Sequence, residues 1–234
     1  TRSLRRLMEI HGVPMRDRQV IAYHDHSGVG ARSKLLAALA AGKSVAYASE
    51  AGMPLIADPG YGLSKAASEA GHLVTSAPGA TAVTTALALA GLPTDAFFFA
   101  GFLPNASGAR RKRLEEVAAI PGTLAFYESP KRIAASVADM AEVLGNRPAA
   151  LCRELTKKFE EVRRLPLAEL AASLEEKPVK GEIVVLVDRA SQVVASDGDI
   201  ESDLRAALVD NSVQDAAAIV SEAHEMPRRK VYQL

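Results

Sequence analysis

The chain has one cysteine, Cys152, in 234 residues. That scarcity excludes an internal disulfide framework, which needs pairs, and a cysteine-built zinc site, which needs several. A reducing cytoplasm is the compartment such usage implies. Net charge is missing too, since 28 Lys and Arg balance 28 Asp and Glu. Whole-molecule electrostatics therefore favours no partner, and any nucleic-acid site must be a local patch. Although 48% of residues are hydrophobic, the apolar runs are short, and none reads as a membrane span or a signal peptide. The acceptor-like triplet Asn105-Ala106-Ser107 is a chance match to a glycosylation motif in such a chain. What is left is a globular chain long enough for a substantial core, as one large or two small domains.

Residues 49–60, Ser-Glu-Ala-Gly-Met-Pro-Leu-Ile-Ala-Asp-Pro-Gly, are the stretch the rest is organised around. They follow the short apolar run 45–48, which reads as a buried strand. They precede a helical segment, 61–70, closed by Gly71 in a left-handed capping position. A loop with two glycines and two prolines thus sits at the carboxyl end of a strand, where open α/β sheets bind ligands. Glycine admits a close backbone approach, and proline fixes the loop's shape without adding a donor. This suits a flat, weakly charged ligand held by main-chain groups. A plain strand-to-helix connection explains these twelve residues equally well.

Ahead of that loop, residues 1–19 carry five arginines on an amphipathic helix that ends near Gly12 and Pro14, read as a solvated face. Residues 20–23 read as a strand ending in His24-Asp25-His26. Two histidines two apart suggest a metal, but no third ligand is near, so a polar loop is expected and no metal site. Gly42-Lys43-Ser44, after a helix over 31–41, resembles the end of a phosphate-binding loop. It fails because Ala37 stands where that motif needs glycine and because the strand follows the triplet. Beyond the loop the pattern repeats: strand at 73–75, turn at Pro78-Gly79, helix from Thr81 to Ala90 ended by Gly91 and Pro93. This alternation predicts a parallel sheet with helices on its faces. Ala80, Thr81 and Ala82 either face the same ligand or serve close helix packing.

A domain boundary is expected near residue 94, giving an N-terminal α/β domain over 1–94 and a second over 95–190. Phe97, Phe98 and Phe99 open the second unit as a core strand. Ser107 is expected to cap a helix through Val117 whose first turns hold Arg110, Arg111, Lys112 and Arg113. A helix N-terminus favours anions, so phosphate contacts would offset that crowding of cations. Three polar clusters adjoin strands: Tyr127 to Arg132 after a strand at 123–126, Arg153 to Lys158 after one at 149–152, and Lys180-Gly181-Glu182 before one over Ile183 to Val187. Together with the loop at residue 52 they look like the walls of a cleft. Residues 191–199 read as a linker. Residues 200–234 read as two or three short helices, with Ser212 as a cap and Arg228, Arg229 and Lys230 near the end. This tail is either an RNA-contacting module or a dimer-packing, solvated one.

In order along the chain, His24-Asp25-His26, residues 49–60, Pro78-Gly79-Ala80-Thr81-Ala82, residues 91–95, Gly101-Phe102-Leu103-Pro104, residues 127–132, residues 153–157 and Lys180-Gly181-Glu182 resemble the ribosomal RNA small subunit methyltransferase I family of the tetrapyrrole methylase superfamily. The likeness spans nearly the whole chain. It implies a two-domain α/β tetrapyrrole-methylase-like fold with a small helical C-terminal module. It also implies S-adenosylmethionine as methyl donor, a homodimer, and 2′-O-methylation of a cytidine ribose in the decoding region of 16S rRNA, in the small ribosomal subunit. Ala51, Gly52, Met53, Leu55, Ile56, Thr81, Ala82 and Tyr127 would hold the donor. Glu154, Arg153, Lys157, Glu128, Lys180 and Glu182 are the candidates for assisting loss of the ribose proton. Arg110 to Arg113 and Arg228 to Lys230 would grip RNA.

Some positions depart from the family pattern. Members begin with a strand and a Thr-Pro-x-Gly-Asn-Leu loop before a Glu-Asp-Thr-Arg segment, whereas this chain starts at Thr1-Arg2. A cleft without that strand and loop is expected to bind S-adenosylmethionine weakly or not at all. Met53 replaces a usual threonine, Ala57 a usual serine, and Ser27-Gly28 follow the histidine pair. Two other functions share these features: a tetrapyrrole (precorrin-type) methyltransferase with the same donor site, and a non-catalytic RNA-binding or assembly factor that keeps the fold.

Overall fold

The computed structural model describes residues 2–24, 29–190, 197–224 and 226–233. Contacts divide the chain into two compact units, 1–189 and 190–234.

In the first unit, runs rich in β-branched and aromatic residues make one five-stranded sheet: β1 (Phe97–Phe102), β2 (Thr123–Glu128), β3 (Pro148–Arg153), β4 (Glu161–Pro166) and β5 (Ile183–Val187), in the order β1-β2-β5-β3-β4. Only β1 and β2 pair in parallel, and the other neighbours are antiparallel. The most continuously apolar strand, β5, is central and buried along its whole length, as two covered faces require.

The helices that precede the sheet are α1 (Arg2–Ile10), α2 (Val29–Ala40), α3 (Tyr61–Glu69) and α4 (Ala82–Ala90). Those between its strands are α5 (Ser107–Val117), α6 (Ile133–Leu144) and α7 (Leu167–Glu176). One sheet face packs on α5, α6 and α7 through Leu114, Val137, Met140, Leu170, Phe126, Leu151 and Val185. The other carries Ala125, Ala150, Cys152, Val184 and Leu186 against Val83, Ala86, Leu87 and Ala90 of α4. Burial there pushes the Cys152 thiol up to about 11, as befits a packing residue. Helix α4 is sharply bounded: the Thr81 hydroxyl accepts the Thr84 N–H at 3.2 Å, and Gly91 is left-handed at φ 71°. From β4, Arg164 donates to the last carbonyls, Ala90 O at 3.1 Å and Leu89 O, placing a cation at the negative helix end.

The sequence-based expectations of a parallel sheet and of strands at 20–23, 45–48 and 73–75 are corrected. Among the described residues every strand lies between 97 and 187. A strand persists only when a neighbour takes up its backbone N–H and C=O groups, and these three segments have no such ladder. Leu73 is left 91% exposed. Two smaller corrections concern the second half. Phe97 is exposed, not core. Ala106, not Ser107, occupies the cap of α5, because the Ser107 hydroxyl donates to Asp139 at 3.0 Å.

The second unit holds α8 (Asp197–Ala207), α9 (Val213–Ala223) and α10 (Arg228–Val231) around Ile200, Ala217, Val220 and Val231. Residues 191–196 of the expected linker lie outside the described residues, and 197–199 are the first residues of α8. Ser212 caps α9, accepting the Asp215 N–H at 3.2 Å. Among the described residues no helix is long and apolar enough to cross a membrane.

Candidate active site

A cavity of about 410 Å³ opens in the first unit, within the size range of cofactor sites. Its two walls are built differently.

The first wall is main chain and small side chains: Ala51, Gly52, Met53, Ile56, Ala57, Asp58, then Ala80, Thr81, Ala82 and Thr85. Its loop follows an irregular path. Gly52 (φ 68°), Leu55 (φ 71°) and Ala57 (φ 55°) are all left-handed, a conformation that costs a non-glycine residue about 1–2 kcal/mol. Local hydrogen bonds hold it there. The Ser49 hydroxyl lies 2.8 Å from Gly52 O, and Tyr47 Oη donates to Pro59 O at 2.7 Å. Gly60 (φ 128°) is required twice over, since a Cβ there would also stand 2.8 Å from the Tyr47 ring and 2.9 Å from Leu55. Asp58 is the one acid on this wall. Burial, then Glu50, raises its carboxyl above the usual range.

The second wall is charged and grows from strand ends. After β3 the chain turns through Glu154 (φ 49°) and Thr156 (φ 65°). The Glu154 N–H donates to Glu182 O at 3.0 Å. Glu154 Oε1 accepts from the Glu182 N–H at 2.9 Å and from Lys157 Nζ at 3.1 Å. Lys157 Nζ donates onward to Glu182 Oε2 at 2.9 Å. The Glu154 carboxylate lies against Gly181 (φ 93°), where an added Cβ would come within 2.4 Å of it. The Glu182 N–H, then Lys157, holds the Glu154 carboxyl below the usual range. Hydrogen bonds to Glu182, then Glu154, hold the Lys157 ammonium above its usual range. At neutral pH the pair is therefore anion and cation, and Lys157 cannot act as a base. Tyr127 stands between the walls, its phenol raised by burial and, more weakly, by Asp58 and Glu182 against the opposing Val83 backbone hydrogen bond.

The candidates named from sequence divide accordingly. Ala51, Gly52, Met53, Ile56, Thr81, Ala82 and Tyr127 line the cavity, as do Lys157, Glu182 and Glu128. Leu55 does not; its Cδ1 sits beside Gly60. Glu128 is 3% exposed, and its oxygens accept from the Ser129 N–H at 2.7 Å, Arg132 Nε at 2.8 Å and Ser136 Oγ at 2.6 Å. It is a fixed anchor. Arg153 points to Glu161 at 2.6 Å and to Lys180 O at 3.2 Å, while the Lys180 side chain is exposed away from the lining. Glu154 stands behind Lys157. Sequence reasoning passed over Asp58 and Phe102, both of which line the cavity. Asp58 is one of two acids in the loop at 49–60, and of the two it is Asp58, not Glu50, that lines the cavity.

The basic run is not the bare cluster that the sequence suggests. Arg110 is 5% exposed, bonds Asp139 at 2.6 Å and Asn105 O at 3.1 Å, and so is withdrawn from the RNA-facing set. Arg111 pairs with Glu142, and Arg113 with Glu116 at 3.0 Å. Lys112 is exposed, as are Arg228, Arg229 and Lys230 in the second unit. Asp25 and His26 of the histidine pair lie outside the described residues, and among those described no His, Cys, Asp and Glu cluster could hold a metal.

A family model described as Tetrapyrrole (Corrin/Porphyrin) Methylases matches residues 7–171. The chain is 45% identical over 229 residues to the ribosomal RNA small subunit methyltransferase I of Mesorhizobium japonicum, covering 97% of this chain and 76% of that protein. Its counterpart in Micromonospora olivasterospora is 42% identical over 224 residues, with 93% and 71% covered. That of Escherichia coli O157:H7 is 38% identical over 239 aligned positions, with 99% and 82% covered. Among solved structures, the methyltransferase CobJ superposes with a TM-score of 0.57 at 22% identity, covering 76% of this chain and 77% of that one. A cobalt precorrin-4 methyltransferase gives 0.54 at 15% identity, with 77% and 78% covered. These two share the fold.

Proposed function

The chain belongs to the tetrapyrrole methylase family, among its ribosomal RNA small subunit methyltransferase I proteins, and from that membership we propose that it methylates a cytidine ribose 2′-oxygen in the decoding region of 16S rRNA, using S-adenosylmethionine. The two-walled cavity carries this conclusion. Main-chain groups at 51–53 and 80–82, the apolar Met53 and Ile56, and the partly desolvated Asp58 fit an adenosine-bearing cation. Of these, Gly52 and Thr81 would fix the donor's position, and Asp58 would balance its positive charge.

Bound S-adenosylmethionine supplies a methyl group already activated on a cationic sulfur. The protein's remaining task is alignment and management of one proton. A ribose hydroxyl is a weak acid, so the fixed Lys157 ammonium stabilises negative charge as it grows on the oxygen. Glu182, facing the same space, accepts the proton directly or through water. Glu154 positions Lys157 from behind. Lys112, Arg111 and Arg113 of the first unit, and Arg228 to Lys230 of the second, contact RNA phosphates. The same reading treats residues 1–94 and 95–190 as lobes flanking the cavity, and it includes a homodimer acting in the cytoplasm.

The test uses small ribosomal subunits that lack the modification, incubated with the protein and methyl-labelled S-adenosylmethionine. Label should appear on one cytidine ribose, and the adjacent phosphodiester should become resistant to alkali. Absence of transfer, or transfer to a porphyrinoid in its place, overturns the proposal.

A further inference from the structure

Strict alternation along β1 would put Phe98, Ala100 and Phe102 on one sheet face and Phe99 on the other. Phe98 and Ala100 do pack on the closed core under α5, α6 and α7, and Phe99 packs on the α4 side. Phe102 breaks the sequence. Phe99 pairs with Ala125, but Gly101 pairs with Phe126 and Phe102 with Tyr127, so Ala100 is an extra residue in a bulge. Gly101 makes this possible at φ 69°, and since a Cβ there would meet nothing within 4 Å, conformation and not space demands the glycine. The inserted residue flips Phe102 out of the core face and onto the face that bears Tyr127 and the cavity.

The result is a large apolar ring, 57% exposed, lining the cavity. Its orientation is set by Tyr127, whose ring centroid is 5.6 Å away at 67°, and Tyr127 is itself held by Phe99 at 4.8 Å and 64°. At that angle the two rings do not lie face to face, and more than half of Phe102 stays exposed. Lys157 and Glu182 line the same cavity. Resting on the RNA-methylation reading above, we propose that Phe102 is the platform on which the base of the acceptor nucleotide stacks while its ribose meets Lys157 and Glu182. Every base has a π-face, and aromatic platforms beside cationic groups are how proteins hold unpaired nucleotides. The donor, by contrast, would sit against the main-chain wall at 51–58 and 80–82, whereas a base on a long polymer must enter from the exposed side.

The chain contains no tryptophan, so Phe102→Trp supplies both a retained platform and a sole tryptophan, whose emission can be excited selectively over that of the tyrosines. Phe102→Leu keeps an apolar side chain and removes the π-face. With undermodified small subunits as substrate, Phe102→Leu should raise KM about 5- to 150-fold, the equivalent of about 1–3 kcal/mol per stacked base. Phe102→Trp should stay near the wild-type value, and the donor Kd from calorimetry should be unchanged in both. S-adenosylhomocysteine alone should leave the Trp emission unaltered. The proposal falls if Phe102→Leu matches wild type, which would make Phe102 a filler, or if donor affinity or Trp emission responds to the donor alone, which would make it a cofactor contact. Either result leaves wild-type methyl transfer intact, whereas loss of the functional reading shows as no transfer by the wild-type protein and takes this proposal with it.

Discussion

Within the first unit, residues 51–85 and 102–184 both line one cavity, and they hold their walls by opposite means. The first half contributes no strand among the described residues; its wall is a loop pinned by Ser49, Tyr47 and Gly60 with the backbone at left-handed angles. The second half contributes all five strands, and its wall sets the ion-paired Lys157 and Glu182 beside Phe102, Tyr127 and other side chains at the strand ends. A wall made of backbone recognises shape and tolerates changes in most side chains, but not changes in φ. A wall made of ion-paired side chains tolerates backbone adjustment and fails when one charge is deleted. The difference matches the chemistry proposed for each: a donor of fixed outline on one side, charge developing on an oxygen on the other.

The largest expected effect comes from breaking the second half's frame. Arg110 and Asp139 tie α5 to α6, with side chains 6% and 11% exposed. Arg110→Ala leaves the buried Asp139 without its counter-charge, with only the Ser107 hydroxyl still bonded to it, and should destabilise the first unit by about 3–5 kcal/mol, read by denaturant unfolding. Lys112→Ala, two residues on and exposed, should leave stability unchanged and reduce the salt slope of RNA binding by about one. Equal behaviour of the two variants would mean that the basic run is one surface patch after all.

A paired substitution sharpens the contrast between the walls. Gly60→Ala forces a Cβ into Tyr47 and Leu55 at a positive φ, so the loop must move and donor affinity should fall; the strain is about 1–3 kcal/mol, or roughly 5- to 150-fold in Kd. Lys157→Ala should leave donor Kd alone and lower kcat about 100-fold or more, as loss of one preorganised stabilising group does. Calorimetry with single-turnover kinetics separates the two. A Lys157→Ala enzyme that fails to bind donor would show that the charged wall also shapes the cofactor site.

How much of this was legible in the sequence follows the range of the interactions. Helix α4 could be read to its ends because Thr81 and Gly91 act on their own neighbours, and β5 because Ile183 to Val187 is apolar throughout. The strands expected at 20–23, 45–48 and 73–75 failed because a ladder needs a second strand that local pattern does not reveal. Ser107 looked like a cap and Arg110 like a surface cation; both are claimed by Asp139, 32 and 29 residues away. The charged residues at 154, 157 and 182 could be grouped from sequence. That Glu154 stands behind Lys157 depends on its φ of 49° and on the absence of a Cβ at Gly181. Phe102 was hidden by a single inserted residue.

The smallest expected effect, and the one most specific to the charged wall, is on pH dependence. The Glu154 carboxyl is lowered from its ordinary 4.5, so the folded protein binds fewer protons there than the unfolded chain. Its contribution is therefore complete above pH 4.5 and is lost as pH falls through the lower folded value. Lys157 is raised from 10.5, so its contribution is complete below 10.5 and is lost as pH climbs through the higher folded value. Glu154→Gln preserves an acceptor for the Glu182 N–H but removes the charge. Thermal unfolding followed from about pH 3 to about pH 7 should show a shallower acid limb in the variant. At the alkaline end Lys157 keeps Glu182, the larger cause of its elevation, so the activity limit should shift down only slightly. An unchanged acid limb would mean that Glu154 carries no pH-dependent load, and an alkaline limit that collapses would mean that Glu154, not Glu182, is what keeps Lys157 protonated.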